Sequence, residues 1–517
     1  MERPLPDSIP KAAPTIPATT SGSLRLEGPL PQTATSRPFL SAGTALQGAG
    51  YVEEEYVLSG PAHVYDWVGN SRDVKIVAGP ATCHTRILVW RPREPRAFSG
   101  NIELTLLNAS LGYDLEGPLD PSGVVDRGDV WIGLTTKPVA ANALKRWDPE
   151  RYARLSWPSP VPTESRCEAP SIIPVYTYGA DGPALVRSMG HKFSSRETED
   201  GLIWDVLAQL GQTLKGEGRH TLLPGFKRPS LYMVGFSQSA QYLRTWLVAF
   251  HDRFRAADGT ALYDGYLGIG GPVLIRLNQC SADVLPSDPR QVPAISDARY
   301  ISLVSEGEVW MTRHVRRPDL VAETHGMLSY EVAGAAHIYH DLPGLPPSPF
   351  ASQTPVTPEM EATPAQSTLE AMMALLPPGT ALNDLPWKPI VRGALQNLQR
   401  WVRDAKVPPQ CGPIELDTTG EIRRDANGNA LGGVRLPHIA VPLQTYHGSI
   451  HAGGLGSVVG WRRPFPPDLV QSRFPTRDAY VTQFCDATDR LLEQGWISVR
   501  DADALKSSAR LEIDSRM

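Results

Sequence analysis

The stretch Leu231-Tyr232-Met233-Val234-Gly235-Phe236-Ser237-Gln238-Ser239 constrains this chain more than any other, because an apolar run enters a sharp turn and leaves it as an amphipathic helix. A serine at the tip of such a turn is held in a strained backbone conformation with its hydroxyl exposed above a sheet. Only small neighbours let the two elements approach so closely. Gly235, Ser239 and Ala240 are those neighbours. Beyond the turn, Ala240, Leu243, Leu247 and Phe250 recur at three- and four-residue steps, an apolar stripe that packs on a sheet. The fifth position of the common G-x-S-x-G pattern is Ser239 here, which is still small. An ordinary strand-to-helix turn that happens to hold a serine is the competing reading, so the partners of Ser237 decide.

Seven short apolar runs bounded by Gly, Pro, Asn or Asp read as buried strands: 86–90, 102–107, 130–135, 231–234, 266–269, 301–304 and 330–332. Most are apolar on both faces, and helical patterns such as Val206, Leu207, Leu210 and Leu214 lie between them. The expected fold class is therefore α/β, a mostly parallel central sheet covered by helices. The 49 prolines among 517 residues predict long loops. Residues 341–366 are the clearest case, read as an extended loop leading into a helical cap segment, Thr368 to Ala405, over the site; a linker to a separate domain is the alternative.

A net charge of -5 gives no electrostatic reason to expect nucleic acid or an anionic membrane as partner. No run of eighteen apolar residues exists, so no transmembrane segment is expected. Residues 1–50, rich in Pro, Ser, Thr and Ala, lack the apolar region of a secretory signal and read as a disordered tail, which makes the cytoplasm the expected location. The five cysteines show no C-x-x-C pair; buried structural thiols are the favoured reading and a distant disulfide stays open. The sequence leaves the oligomeric state open.

A serine hydroxyl needs a general base, and histidine has the pKa for that role near neutrality. In doubly wound hydrolases the order is Ser, acid, His, with acid and base on loops after later strands at one edge of the sheet. Among twelve histidines His337 fits best, after a short strand and the small residues Gly334-Ala335-Ala336; His340 is its nearest rival. The acid belongs just past the strand at 301–304, where Glu306 and Glu308 both stand. The oxyanion of a tetrahedral intermediate needs two backbone donors. Gln238, after the nucleophile, is one; Ser110 or Leu111, in the Asn108-Ala109-Ser110-Leu111-Gly112 loop after an early strand, is the other.

His447 and His451 stand four apart, yet Gly448 and Gly453 speak against a helix and no further ligand is near, so no metal site is expected. Trp246, Trp310, Trp387 and Trp461 read as core before they read as an apolar substrate pocket. Arg435 reads as an ion pair at least as readily as a substrate carboxylate ligand.

These residues resemble the alpha/beta hydrolase domain family, a branch of the serine hydrolases. The matching stretches are 51–56, 107–110, 128–133, Gly235 to Ser239, 277–280, Ser305 to Glu308, Glu331 to His337 and 432–435. The resemblance implies an α/β-hydrolase fold with long loop and cap insertions, and one elaborated domain over 51–517 with the insertion at 341–430. In that family the elbow reads G-x-S-Q-S. The position matching Glu306 is glutamate there, and the one matching Glu308 varies between aspartate and glutamate, which places Glu306 ahead as the acid and keeps Glu308 as the alternative. The implied activity is cleavage of a small-molecule carboxylic ester through an acyl-enzyme intermediate, with no cofactor. Amide hydrolysis or acyl transfer would use the same residues, and a non-catalytic binding protein on the hydrolase fold is a remoter alternative.

Overall fold

A computed structural model describes residues 24–516 apart from 111, 116, 118–120, 174–193, 295, 314–315, 317, 339–372 and 452–454. All seven apolar runs are strands of one sheet. Its members are β1 (Arg25–Glu27), β2 (Tyr51–Trp67), β3 (Val74–Pro92), β4 (Asn101–Leu106), β5 (Val130–Leu134), β6 (Ser230–Phe236), β7 (Gly265–Ile269), β8 (Arg299–Ser305), β9 (Leu320–Val321) and β10 (Gly326–Val332). Their spatial order is β1-β2-β3-β5-β4-β6-β7-β8-β10-β9. The strands from β5 to β10 in that order are parallel, and antiparallel strands flank them on both sides.

The double-sided apolar pattern has a direct cause. Leu231 and Met233 of β6 enter the core on one face of the sheet, while Tyr232, Val234 and Phe236 enter the core on the other. Helices α1 (Pro138–Trp147), α2 (Ile203–Lys215) and α3 (Gln238–Ala249) cover the first face. Helices α4 (Lys388–Asp404), α5 (Arg477–Glu493) and α6 (Val499–Asp514) cover the second.

Three expectations need correction. Residues 24–50 are not a tail: β1 pairs with β2, and Phe39 and Leu46 are buried. Beneath them the wholly buried Arg86 bonds the Phe39 carbonyl and the Glu55 carboxylate, which also accepts from Tyr152 and Arg151. The apolar anchors of this segment are spaced among prolines, so they make no periodic pattern. The helical part of 368–405 is not a cap either. Helix α4 lies along β6, β7 and β8, with Leu398 against Gly265, because Ile390, Ala394, Leu395, Leu398 and Trp401 form one buried stripe. The Pro-rich stretch 341–366 lies outside the described residues.

The third concerns the cysteines. Cys167 and Cys280 form a disulfide across a sequence separation of 113, tying the 160s loop to the loop after β7, while Cys83 is a buried thiol. A crosslink closing so long a loop restrains the unfolded chain, typically by about 2–4 kcal/mol. Cys280→Ser is expected to lower the melting temperature by several degrees, and excess reductant to do the same to the native chain but not to the variant; equal melting of all samples would leave the disulfide without a stabilising role.

Candidate active site

The elbow is built by crowding. Ser237 has φ 57° and ψ -122°, outside the regions an L-residue normally occupies, and its amide donates to the Ile269 carbonyl at 2.8 Å. A Cβ on Gly235 would stand 2.5 Å from the Ser239 carbonyl oxygen, so glycine is the only fit there. Ser239 does more than stay small. Its hydroxyl donates to the Phe236 carbonyl at 2.9 Å and accepts from the Phe236 amide at 2.8 Å, stitching the strand end to the first helical turn.

His337 follows β10 and reaches back over the elbow, with Nε2 2.8 Å from Ser237 Oγ. Its ring stacks on Phe236, centroids 5.2 Å apart, and only 7% of the residue is exposed. Stacking fixes the plane of the imidazole and shields it from water on that side. His340 lies outside the described residues.

The two carboxylates after β8 part company. Glu308 lies against His337, with Oε1 3.1 Å from Nδ1, though the ring N–H is not aligned on that oxygen in this resting geometry. The same Oε1 accepts from the Gly271 amide at 2.7 Å, and Oε2 accepts from the Ser305 amide at 3.1 Å and the Ser305 hydroxyl at 2.8 Å. Burial works against the Glu308 charge, but His337 and these donors outweigh it and hold the carboxyl below its ordinary pKa. Gly270 leaves room for the pair, since a Cβ there would stand 2.9 Å from His337 Cε1.

Glu306, expected ahead of Glu308 as the group facing the histidine, points elsewhere. It accepts from the Gly334 amide at 2.6 Å, the Gly448 amide at 3.1 Å and Arg424 at 2.8 Å, bracing the loop that leads to His337. The two acids sit in one tight 3₁₀ turn, Glu306–Glu308, in which residues two apart project to different sides.

The donor loop also departs from expectation. Asn108 clamps it to the elbow, donating through Nδ2 to the Phe236 carbonyl at 2.8 Å and accepting the Ser110 amide on Oδ1 at 2.7 Å. Ser110 is therefore occupied, and Leu111 lies outside the described residues. The neighbouring amide of Ala109, a buried residue, has no protein acceptor among the described residues, nor does that of Gln238 at the head of α3. Elsewhere, His447 stacks on Trp461 in a strand, Arg435 pairs with Asp425, and Trp246 and Trp387 are core. Among the described residues no helix is long and apolar enough to cross a membrane.

A family model described as an alpha/beta hydrolase domain matches residues 26–507. No curated protein matches the chain. Solved structures with partial likeness include a protein named as a dienelactone hydrolase from Klebsiella pneumoniae subsp. pneumoniae, at 9% identity over 53% of this chain and 85% of that one, TM-score 0.22. Poly(aspartic acid) hydrolase-1 from Sphingomonas sp. KT-1 shares 8% identity over 50% and 77%, TM-score 0.23. A cold-adapted esterase from an Arctic intertidal metagenomic library shares 9% over 54% and 85%, TM-score 0.21.

Proposed function

This chain belongs to the alpha/beta hydrolase domain family, a family of hydrolases, and we propose that it cleaves a carboxylic ester through an acyl-enzyme. The observation that carries the reading is the 2.8 Å contact between His337 Nε2 and Ser237 Oγ at the tip of a strained elbow. In this mechanism His337 takes the Ser237 proton as Oγ attacks the ester carbonyl, then gives it to the leaving alcohol; water deacylates the serine by the same route. Glu308, ionised and buried, holds the imidazole through Nδ1 and offsets the imidazolium charge. The amides of Gln238 and Ala109 receive the oxyanion, with Ala109 taking the role expected of Ser110 or Leu111.

p-Nitrophenyl esters of increasing acyl length, assayed beside the matching anilides, test the activity. Turnover of the esters with little on the anilides supports the proposal; faster cleavage of the anilides would make the protein an amidase. Asn108 offers a finer check. Asn108→Ala frees the donor loop from the Phe236 carbonyl, and kcat is expected to fall by about 10- to 100-fold with KM nearly unchanged, since a displaced oxyanion donor acts on the transition state. An effect on KM alone would assign Asn108 to substrate binding.

A further inference from the structure

Gln238 and Tyr242 stand four residues apart on α3 and so share one face of the helix that begins at the nucleophile. Both present a buried polar atom with no aligned hydrogen-bond partner among the described residues: Gln238 Oε1 and the Tyr242 hydroxyl. Lys137, immediately before α1 at the carboxyl end of β5, sets its ammonium 5.2 Å from the Tyr242 ring centroid. Asp200, just before α2, lies beside both, and its Oδ2 is also buried without an aligned partner among the described residues. Lys137 and Asp200 attract each other yet do not close to an ion-pair contact, and the Tyr242 hydroxyl lies against the Asp200 carboxylate and interacts with it without an aligned hydrogen bond. The four residues are at most 7% exposed.

An unsatisfied buried polar group costs about 1–3 kcal/mol, and three grouped beside the helix that begins at Ser237 call for a cause. Asp200 balances Lys137, so the cluster carries no net charge that would select a free carboxylate. It offers acceptors on Gln238 and Asp200, a donor on Lys137 and either role on Tyr242. Neighbouring hydroxyl groups, each both donor and acceptor, complete that set. Burial pulls the Lys137 ammonium below its ordinary range and pushes the Asp200 carboxyl above its own, each partly offset by the attraction of the other.

We infer that Gln238, Tyr242, Lys137 and Asp200 form a polar subsite that selects esters whose acid or alcohol part carries adjacent hydroxyl groups. This rests on the ester hydrolase reading. Two substrate pairs test it and separate the sources of the hydroxyls: methyl 3,4,5-trihydroxybenzoate against methyl benzoate, and a monoacetylated hexose against ethyl acetate. The native protein is expected to favour the hydroxylated member of one pair by at least about tenfold in kcat/KM, the worth of one well-placed hydrogen bond. Lys137→Gln and Tyr242→Phe are each expected to shrink that ratio severalfold. Tyr242→Phe removes only an oxygen, so it decides the matter if Lys137→Gln does not fold. Ratios near one for both pairs, or ratios unchanged in Tyr242→Phe, would overturn the subsite and leave the groups to water. Failure to hydrolyse any of the four esters would instead overturn the hydrolase reading itself.

Discussion

Ser237→Ala is expected to fold with an unchanged melting temperature and to lose on the order of a thousandfold or more in ester turnover. Ser237 is only partly buried and its hydroxyl contacts His337, so it supports little structure, and alanine lacks only the attacking atom. What survives comes from binding and the oxyanion donors. The strained backbone at φ 57° is set by Gly235, Ser239 and Gly271 around it, so it persists in the variant. More than a tenth of native activity in the alanine variant would remove Ser237 from the chemistry.

The second large effect separates the two neighbouring glutamates. Glu308→Gln replaces a carboxylate 3.1 Å from His337 Nδ1 by an amide that does not compensate the imidazolium and can favour the wrong tautomer. The expected loss in kcat is on the order of a thousandfold, as for comparable triad acids. Glu306→Gln is expected to cost less than about tenfold in kcat and to act on stability instead, because it unpairs Arg424. With the Arg424 side chain 25% exposed, that stability loss should be about 1–3 kcal/mol, below the range for fully buried pairs. The pH dependence follows from the same geometry. The Glu308 carboxyl is held below its ordinary pKa in the folded chain, so its contribution to stability is present above the ordinary carboxylate range and lost as pH falls through the lowered value. The stability gap between native protein and Glu308→Gln should accordingly narrow on acidification. A larger kinetic defect in Glu306→Gln than in Glu308→Gln would return the role to Glu306.

Sequence made the elbow and His337 legible for one reason: a sheet buried on both faces writes itself as unbroken apolar runs, and small residues mark where its loops must turn tightly. The choice between Glu306 and Glu308 was harder, because two acids in one 3₁₀ turn diverge by an angle that composition does not carry. A local signal was nonetheless present. Ser305 and Glu308 form a capping box, which turns the Glu308 carboxylate back toward the end of β8 and hence toward the histidine loop. In the donor loop Asn108 marked a turn, but only the structure shows that it takes the Ser110 amide and that the Ala109 amide has no acceptor among the described residues. Phe39, Leu46 and the Cys167–Cys280 link escaped because their partners lie far along the chain, where local pattern has no reach.

Covalent labelling tests the central claim most directly. The native protein, treated with a fluorophosphonate and digested, should carry a single phosphonyl adduct, mapped by mass spectrometry to Ser237, because only a serine whose proton a base accepts reacts at a useful rate. His337→Ala should slow that labelling by on the order of a hundredfold or more, as general-base assistance is lost. An unlabelled native chain, an adduct on another residue, or a His337→Ala variant labelled at the native rate would contradict the assignment of Ser237 and His337 as nucleophile and base.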